Sequence, residues 1–458
     1  MKRNIFLPEE VRGIIDKLSS KGYTAYAVGG CVRDSIMGNI PHDWDICTDA
    51  VPNEVKQVFA EYRVIETGIK HGTVTVMIDR TPFEITTFRS ETTYSDNRHP
   101  DEVIFEKYIG ADLSRRDFTV NAIAYNPYEG FIDLYGGIGD IENKVIKAVG
   151  NCAQRFEEDA LRILRALRFS SVLNFKIDED TARNIHCYKH LLNNIAAERI
   201  RVEFCKLLMG ENAVSVLREY ADVIAVFIPQ TADMAGFEQH NPHHRYDVWE
   251  HTLHALNFAE KDLSVRLAVL FHDIGKPYTF SLDENRIGHF YAHAKKSTEI
   301  TAEVLDSLKF DNHTKNTVLS LVKHHDRVIE MSEKSVKRTL HKVGSEEMFE
   351  KLLQVKLCDI QAQAQEFVPS RTAEIKKITE IYTTVKKNDD VVFSVKNLAV
   401  NGKDVMHSLK IDEGKQVGII LEKLLECVLN GEVENTREAL LEQVKGFALK
   451  NPIQGLCP

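Results

Sequence analysis

The chain has 458 residues, 43% hydrophobic and 28% charged, which is ordinary for a globular protein, and its length exceeds what one core usually serves. The formal net charge of -10 argues against binding nucleic acid through the overall field, so any RNA surface has to be a local basic patch. No stretch approaches the roughly 18 apolar residues of a membrane span, and the first eight residues lack a signal peptide's apolar core, so a cytoplasmic protein without a membrane partner is predicted.

The cysteines are scattered along the chain and form no Cys-x-x-Cys pair. This pattern predicts neither a zinc site nor a disulfide framework, so the thiols are expected to be reduced and mostly structural. They are Cys31, Cys47, Cys152, Cys187, Cys205, Cys358, Cys427 and Cys457.

The first part of the chain alternates short helices and strands. A helix is predicted from Pro8, with proline in its first turn, and a strand is predicted over Thr24–Val28. Two further strands, rich in β-branched and aromatic residues, are predicted over Gly72–Ile78 and Phe83–Phe88, joined by a turn over Asp79–Pro82. These elements predict a mixed sheet backed by helices.

The stretch from Ala27 to Cys47 carries the strongest chemical signal. An apolar strand runs into Gly29 and Gly30, a short helical turn follows, and a second strand is predicted to carry Asp43 and Asp45. Strand side chains alternate between faces, so these two carboxylates are expected on one side of the sheet. Two hard oxygen ligands so placed suit Mg²⁺ bridging nucleotide phosphates.

This stretch resembles the first motif of the class II tRNA nucleotidyltransferases, which are the CCA-adding enzymes, and of the related bacterial poly(A) polymerases. The matching residues are Gly29-Gly30-x-x-Arg33-Asp34, then Gly38, then Asp43-x-Asp45. The resemblance implies a nucleotidyltransferase head that uses Mg²⁺, and later stretches extend it over most of the chain.

Two features of the head follow. Glu84 lies on a neighbouring predicted strand and could supply a third carboxylate beside Asp43 and Asp45; the alternative is an exposed strand residue. The polar, turn-rich segment between Phe88 and Phe105 predicts a mobile loop. In the resembled family this position holds a loop present in enzymes that add the terminal A, which favours CCA or A addition over CC addition alone.

The run from Arg115 to Ala122 matches the family's second motif. A guanidinium such as that of Arg116 offers a rigid fork for triphosphate oxygens, and Asp117 and Asn121 could hold an arginine or the sugar by hydrogen bonds. The alternative is a capped, charged helix start.

From residue 151 the pattern becomes helical. A continuous amphipathic helix is predicted over Arg155–Phe169, with Asp159, Arg162 and Arg165 on one broad face. Such a face is usually solvated. A carboxylate can also accept from the exocyclic amine of cytosine or adenine while a guanidinium donates to the ring, so one Asp-Arg pair could select C and A without a template.

The resemblance favours base recognition, because Glu158-Asp159-x-x-Arg162 matches the family's base-recognition motif. It also implies that Arg165 and Arg168 contact the triphosphate or the base. The amphipathic helix predicted over Ala197–Leu208 is similar to the family's last motif, and we expect it to brace the neighbouring helices and take no part in the chemistry.

Histidines crowd the segment that follows residue 239, where the composition changes again. An early histidine, the pair His272-Asp273 and a later aspartate on helical stretches resemble the HD phosphohydrolase domain. That resemblance implies a divalent transition metal, Mn, Ni, Fe or Zn, held by His251, His272, Asp273 and Asp359. A second ion is predicted at His293, His324 and His325. Such a site could hydrolyse a phosphate ester, for example a cyclic phosphate or a damaged 3′ end on RNA.

The predicted fold class is therefore α+β: a head with a mixed sheet, then an all-α neck, an HD domain and a helical tail. A turn before Lys415 opens a tail helix that could grip an RNA phosphate, or is an ordinary packing unit. The predicted domains are 1–145 (head), 146–238 (neck), 239–370 (HD) and 371–458 (tail).

The favoured function is template-independent addition of CCA to tRNA from CTP and ATP, without a stable protein partner. The alternatives are an A-adding enzyme, a poly(A) polymerase, or an HD phosphohydrolase with a nucleotide-binding head. The residues predicted to bind nucleotide are Gly29, Gly30, Arg33, Asp34, Arg116, Asp117, Asn121, Asp159, Arg162, Arg165 and Arg168, and those predicted to hold Mg²⁺ are Asp43 and Asp45, with Glu84 as a further catalytic candidate.

Overall fold

The structure, a computed structural model, describes residues 4–91, 103–387 and 394–450. The chain divides into two compact units, Met1–Ala232 with Ser307–Lys309, and Asp233–Asp306 with Phe310–Pro458. The predicted α+β class is confirmed, because the first unit contains a mixed sheet and the rest is largely helical. The division into four domains stays a prediction.

The first unit is built on a seven-stranded sheet with the order β3-β4-β5-β2-β1-β8-β9. Neighbouring strands are antiparallel except β2 and β5, which are parallel. The strands of this unit are β1 (Ala25–Val28), β2 (Asp45–Thr48), β3 (Arg63–Ile65), β4 (Thr73–Ile78), β5 (Thr81–Thr87), β6 (Arg89–Glu91), β7 (Val103–Phe105), β8 (Ala124–Asn126), β9 (Gly130–Ile132), β10 (Val145–Ile146) and β11 (Lys176–Ile177).

The sheet confirms the strands predicted over Thr24–Val28, Gly72–Ile78 and Phe83–Phe88, with slightly different ends. The fourth predicted strand is present as β2, but it begins at Asp45, so the prediction that it also carries Asp43 is wrong. The turn between β4 and β5 consists of Asp79 and Arg80, both with positive φ (46° and 70°), so Pro82 pairs with Met77 inside the hairpin. Two successive residues with positive φ suit the twist of a tight hairpin. The segment predicted as a mobile loop begins and ends in the antiparallel pair β6 and β7, and its remainder, 92–102, lies outside the described residues.

Helices flank the sheet and continue after it. The predicted first helix has its apolar residues Val11, Ile14, Ile15 and Leu18 buried. The helices are α1 (Glu9–Ser20), α2 (Gly30–Ile36), α3 (Pro52–Val58), α4 (Ile109–Ser114), α5 (Gly137–Asn143), α6 (Cys152–Glu158), α7 (Leu161–Leu173), α8 (Glu179–Tyr188), α9 (Ala197–Leu208), α10 (Ala213–Glu219), α11 (Ala221–Phe227) and α12 (Gln230–Met234).

The continuous helix predicted over Arg155–Phe169 is wrong at one point. The backbone of Asp159 is extended (φ -139°, ψ 101°), which separates α6 from α7. Its side chain accepts a hydrogen bond from the backbone N–H of Leu161 at 3.1 Å. Aspartate favours such capping positions, since its carboxylate satisfies a free N–H at the start of a helix. Asp159 therefore occupies a corner and not a helical face.

The second unit consists mainly of helices, with one two-stranded antiparallel pair. The helices α13, α14, α16 and α18 position most of the histidine and aspartate side chains considered below. The elements are α13 (Val248–Leu256), α14 (Leu263–Phe271), β12 (Phe280–Leu282), β13 (Gly288–Phe290), α15 (His293–Ser307), α16 (Asn312–His324), α17 (Glu333–Val343), α18 (Glu346–Gln361), α19 (Val368–Lys387), α20 (Gly402–Leu409), α21 (Lys415–Asn430) and α22 (Arg437–Lys450).

The last three helices share a hydrophobic cluster that includes Val405, Ile420, Leu424, Leu440 and Val444. The helix predicted after Gly414 is present as α21. Among the described residues, no helix combines the length and apolar character needed to cross a bilayer.

Candidate active site and candidate metal centre

A glycine turn joins β1 to α2 in the first unit. Gly29 has φ +83° and donates its N–H to the carbonyl of Ile123 at 3.1 Å. A Cβ added here would lie 3.0 Å from Nη1 of Arg116, so a side chain at Gly29 would crowd that guanidinium. The turn and the arginine predicted to bind nucleotide therefore lie side by side.

Three carboxylates, called here the head carboxylates, are Asp43, Asp45 and Glu84. Asp45 is the first residue of β2 and the register partner of Glu84 on the parallel strand β5, whereas Asp43 lies two residues before β2. All three are exposed. Glu84, the predicted third carboxylate, is thus next to Asp45. The side-chain oxygens of the three residues do not all lie within 4.8 Å of one another.

The head carboxylates repel one another electrostatically. The pKa of Asp45 is raised by desolvation from the surrounding protein and by Asp43, against the opposing charge of Arg116. The pKa of Glu84 is raised by desolvation, by Asp45 and by Asp43. Asp45 and Glu84, whose pKa values are raised in part by neighbouring carboxylates, fit a hard divalent cation, which would neutralise this negative charge.

A carboxylate that sequence analysis missed fixes Arg116. The side chain of Asp112 is buried, and its two oxygens accept from Nη2 of Arg115 at 2.7 Å and Nη2 of Arg116 at 2.9 Å. Burial alone would raise the pKa of Asp112, but the two guanidiniums outweigh it and lower that pKa. The i to i+4 spacing of Asp112 and Arg116 was the signal that could have found this pair.

A hydrogen-bonded network joins both sequence motifs of the head. Asp117 accepts from Nδ2 of Asn121 at 3.1 Å and from Nε of Arg165 at 2.8 Å. Oδ1 of Asn121 accepts from Nη1 of Arg33 at 2.6 Å, and Arg33 also donates to Asp34 at 2.8 Å. Predicted residues from separate segments of the chain are therefore brought together.

Asp117 stays ionised within this network. Burial would raise its pKa, but Arg165, the amide of Asn121 and Arg162 outweigh that effect and lower the pKa to about 2. The buried carboxylate therefore has a permanent charge with which it orients the guanidinium of Arg165.

Asp159 and Arg162, predicted to read the base together, bind different residues of the protein in the structure, and their joint role stays a prediction. Nη1 of the buried Arg162 donates to Glu158 at 2.7 Å and to the carbonyl of Arg155 at 3.1 Å, and Nη2 donates to the carbonyl of Arg115 at 2.9 Å. Oδ2 of Asp159 instead accepts from Nη2 of Arg199 on α9 at 3.0 Å. Sequence analysis assigned α9 to bracing alone, so Arg199 was missed.

Arg168, the last predicted nucleotide contact, lies over the ring of Phe169 at 4.0 Å and has its Nε 3.1 Å from Glu203. It borders a cavity of about 460 Å³. The cavity is lined by Arg33, Arg168, Phe169, Val172, Leu173, Cys205, Lys206 and Met209.

In the second unit, two groups of side chains converge with ligand atoms within 4.8 Å of one another: His251, His272, Asp273 and Asp359, and Asp273, His293 and His325. We call these residues together the His-Asp cluster. Asp273 belongs to both groups. Its Oδ2 lies 3.1 Å from Nε2 of His272, and its Oδ1 lies 3.5 Å from Nε2 of His293.

The histidines of the cluster are oriented by backbone carbonyls. Nδ1 of His272, His293 and His325 lies 2.6, 2.9 and 2.7 Å from the carbonyls of Val269, Phe290 and Val322, and Nδ1 of His251 lies 3.3 Å from that of Ala362. A carbonyl only accepts, so each Nδ1 donates and Nε2 faces the centre of the cluster. This arrangement is typical of metal-binding histidines.

Two buried atoms indicate whether the His-Asp cluster could hold a metal ion. Nε2 of His272 and Oδ2 of Asp273 are buried without a hydrogen bond of acceptable geometry to any described residue, although Lys276 Nζ lies 2.8 Å from that oxygen. Burial would lower the pKa of His272, but Asp273 and Asp359 outweigh it and raise that pKa to about 10. The two carboxylates thus favour a positive charge at this point. A divalent transition metal bound by the carboxylates and by neutral imidazole nitrogens would supply that charge.

The second predicted triad is partly wrong. His293 and His325 lie in the cluster with Nε2 atoms 3.2 Å apart, but the third ligand there is Asp273, and His324 belongs to neither group. His324 and His325 are consecutive at the end of α16, where side chains diverge by about 100°. Only one of two such neighbours can face a common point.

The surroundings of the cluster are polar and basic. Gln363 donates from Nε2 to Asp359 at 3.3 Å and accepts from Nη1 of Arg371 at 2.8 Å. A cavity of about 260 Å³ opens on the cluster, and its walls include Lys276 and Arg371. Cations beside a metal centre suit a phosphate group.

Three family models match separate parts of the chain. Residues 25–147 match the poly A polymerase head domain, and residues 174–234 match a probable RNA and SrmB-binding site of polymerase A. Residues 279–444 match a putative second domain of tRNA nucleotidyltransferase.

Known proteins resemble nearly the whole chain. It is 33% identical over 445 residues to a CCA-adding enzyme of Ligilactobacillus salivarius, covering 96% of this chain and 97% of that protein. A CCA-adding enzyme of Enterococcus faecalis is 31% identical over 447 residues, with 95% of both chains covered. The crystal structure of the Bacillus stearothermophilus CCA-adding enzyme in complex with CTP has a TM-score of 0.70 and 28% identity, covering 97% of this chain and 99% of that one.

Proposed function

Because this chain belongs to the family of CCA-adding enzymes, we propose that its first unit adds CCA to the 3′ end of tRNA, using CTP and ATP without a nucleic-acid template. The observation that carries the proposal is the network in which Asn121 holds Arg33 while Asp117 holds Arg165. Two guanidiniums aimed by buried partners form a ready site for a nucleoside triphosphate.

The head carboxylates are the proposed magnesium ligands. Mg²⁺ held by Asp43 and Asp45, with Glu84 alongside, would neutralise charge that develops on the phosphates during transfer. The 3′-hydroxyl of the RNA attacks the α-phosphorus, the bond from that phosphorus to the bridging oxygen breaks, and pyrophosphate leaves. Arg33, Arg116 and Arg165 orient the triphosphate, and the Gly29–Gly30 turn lets the chain approach it closely.

Selection of the base is assigned to the corner between α6 and α7. The side-chain oxygens of Asp159 accept from the exocyclic amine of cytosine or adenine, whereas uracil and guanine present an oxygen at the corresponding position. Arg162, fixed by Glu158 and by two carbonyls, donates to the ring acceptors. One acceptor and one donor thus suffice for both correct nucleotides.

The test of this function uses tRNA transcripts that end before CCA, after C and after CC. Each is incubated with labelled CTP, ATP or both, and product length is measured at single-nucleotide resolution. Addition of three nucleotides followed by a stop is the expected result. Addition to the CC-ended transcript alone indicates an A-adding enzyme, and long adenosine tails on unstructured RNA indicate a poly(A) polymerase; either result contradicts the proposal.

The His-Asp cluster supports a second activity, metal-dependent hydrolysis of a phosphate ester. The supporting observation is the buried Oδ2 of Asp273 together with Nε2 of His272, neither of which has a hydrogen bond to a described residue. A Mn, Ni, Fe or Zn ion held by His251, His272, Asp273 and Asp359 would activate water and polarise the ester. Lys276 and Arg371 border the adjoining cavity and would receive the phosphate.

This second activity is tested on RNA ending in a 2′,3′-cyclic phosphate or a 3′-phosphate, with each of the four metals added in turn. The double variant His272→Ala with Asp273→Ala is expected to lose phosphate-ester hydrolysis and retain CCA addition. Hydrolysis that survives in the variant would mean that the activity belongs elsewhere or to a contaminant.

The proposed domain roles follow from these assignments: residues 1–145 catalyse transfer, 146–238 recognise the base, 239–370 hold the metal cluster, and 371–458 bind tRNA. The chain's net charge of -10 requires that the RNA-binding surface be a local one.

A further inference from the structure

An ion pair connects the base-recognition corner to α9. Oδ2 of Asp159 accepts from Nη2 of Arg199 at 3.0 Å, while Oδ1 accepts from the backbone N–H of Leu161 at 3.1 Å. Both oxygens of the carboxylate are therefore tied, one to the start of α7 and the other to α9. The two ties fix the plane of the carboxylate, and each oxygen keeps a second lone pair for another donor.

The neighbouring Arg162 makes its hydrogen bonds inside the protein to residues other than Asp159, and these bonds use three of its five N–H donors. Arg162 donates to Glu158 and to the carbonyls of Arg155 and Arg115, at 2.7 to 3.1 Å. Asp159 forms its ion pair with Arg199, whose side chain is only 26% exposed. A pair this sheltered is held more firmly than an exposed one, because solvent screens it less.

The guanidinium of Arg199 also has an N–H group that is not hydrogen-bonded to any described residue. Its Nη1 is buried and has no hydrogen-bond acceptor among the described residues. Leaving a charged donor unsatisfied is costly, so a residue that served only to brace α9 against its neighbours would be better replaced by an apolar side chain. The cost indicates a role connected with the carboxylate that Arg199 does bind.

We propose that Arg199 is a positioning residue for base selection, which holds Asp159 in the orientation that accepts the exocyclic amine of cytosine or adenine. The inference rests on the proposed CCA addition and assigns to α9 a part in substrate choice. Without Arg199, the carboxylate is tied only at Oδ1 and can rotate away from the base. Loss of orientation weakens binding of the two correct nucleotides and removes the penalty against uracil and guanine.

The experiment compares Arg199→Gln and Arg199→Lys with Arg183→Gln as a matched control. Arg183 also pairs with an aspartate at 3.0 Å, since its Nη2 contacts Asp180, but that pair is 69% and 65% exposed. Single-nucleotide addition to CCA-lacking and CC-ended tRNA is measured for CTP, ATP, UTP and GTP, each over a range of concentrations. Circular dichroism confirms that each variant is folded.

For Arg199→Gln, we expect KM for CTP and ATP to rise about tenfold, kcat to change less, and the preference over UTP to fall about tenfold, as loss of one charge-assisted hydrogen bond implies. Arg199→Lys should restore part of that preference, and Arg183→Gln should leave the preference among the four nucleotides at its wild-type value. Arg199→Gln with unchanged nucleotide preference overturns the inference, as does a uniform loss of kcat for all nucleotides. Failure of the wild-type protein to add CCA overturns the proposed function instead, so the two failures are distinguishable.

Discussion

The head carboxylates and the His-Asp cluster both suit divalent ions, but they are built in opposite ways. The head carboxylates are exposed: Asp45 at the start of β2 is the register partner of Glu84 in the middle of β5, and Asp43 lies two residues before β2. In the His-Asp cluster, buried histidines point Nε2 at shared carboxylates while backbone carbonyls hold their other nitrogens. The first arrangement suits ions that arrive with a nucleotide, and the second suits an ion that stays bound.

The largest effect is expected for the head carboxylates, whose replacement should abolish CCA addition without changing the metal content of the His-Asp cluster. Replacing Asp43 and Asp45 by alanine should lower CCA addition at least about a thousandfold, because charge on the transferred phosphate is no longer neutralised. Metal content of the purified protein, measured by mass spectrometry, should remain that of the wild type. A matching loss of tightly bound metal would contradict the assignment of two independent sites.

A smaller effect is expected inside the head. Asp117→Asn keeps the shape of the side chain but removes the charge that orients Arg165, so kcat/KM for CTP and ATP should fall about ten- to a hundredfold. The pKa of Asp117 is about 2 in the folded protein and ordinarily 3.8, so its ionised form stabilises the fold above about pH 4 and this contribution is lost as pH falls toward 2.

The acid limb of the stability profile provides the accompanying measurement. Denaturant unfolding of the wild type between pH 5 and pH 2 should show a steeper loss of stability than that of Asp117→Asn. Parallel profiles would mean that the carboxylate is not held ionised by its neighbours in the way described.

The His-Asp cluster offers a comparison between adjacent residues. His325→Ala should lower the number of tightly bound transition-metal ions by about one, since its Nε2 lies beside that of His293 within the cluster, whereas His324→Ala should leave the number unchanged. Metal analysis and circular dichroism of both variants decide the matter. Equal losses in the two variants would overturn the ligand set, and both variants should retain CCA addition.

The smallest effect concerns stability without magnesium. The pKa of Asp45 is raised in the folded protein by desolvation and by Asp43, so at neutral pH its charge opposes folding. Asp45→Asn should therefore raise the melting temperature in magnesium-free buffer by about 1 to 2 °C while it abolishes addition. Differential scanning calorimetry measures the shift, and a lower melting temperature would show that Asp45 stabilises the fold without the ion.

Sequence reasoning succeeded where local pattern decides structure. The amphipathic period predicted α9 over its observed range, Ala197–Leu208, and strand composition predicted β4. The motifs also placed Arg33, Asp117 and Asn121 among the predicted nucleotide-binding residues, and the structure joins these three by hydrogen bonds; their binding of nucleotide stays a prediction. Residue type and spacing are sufficient for such inferences because they depend on a few neighbouring positions.

Sequence reasoning failed where the hydrogen-bond partner of a side chain, or the direction in which it points, depends on the three-dimensional structure. Periodicity predicted one helix through Asp159, but the extended backbone of this residue separates α6 from α7, and its carboxylate accepts from the N–H of Leu161. Spacing also did not reveal that Glu158 binds Arg162, or that Arg199 from another helix binds Asp159. The choice between His324 and His325 likewise depends on helix rotation, which a sequence pattern does not fix.

The carbonyl ties of the His-Asp cluster have a consequence for kinetics. The acceptor for His272 is a carbonyl in the last turn of α14, and that for His325 is in the last turn of α16, so fraying of either helix end would free one of the proposed metal ligands to turn away. For the proposed ion, dissociation and opening of these helix ends would then be one event. The rate at which a chelator strips the metal should therefore equal the rate at which the terminal amides of α14 and α16 become open to hydrogen exchange.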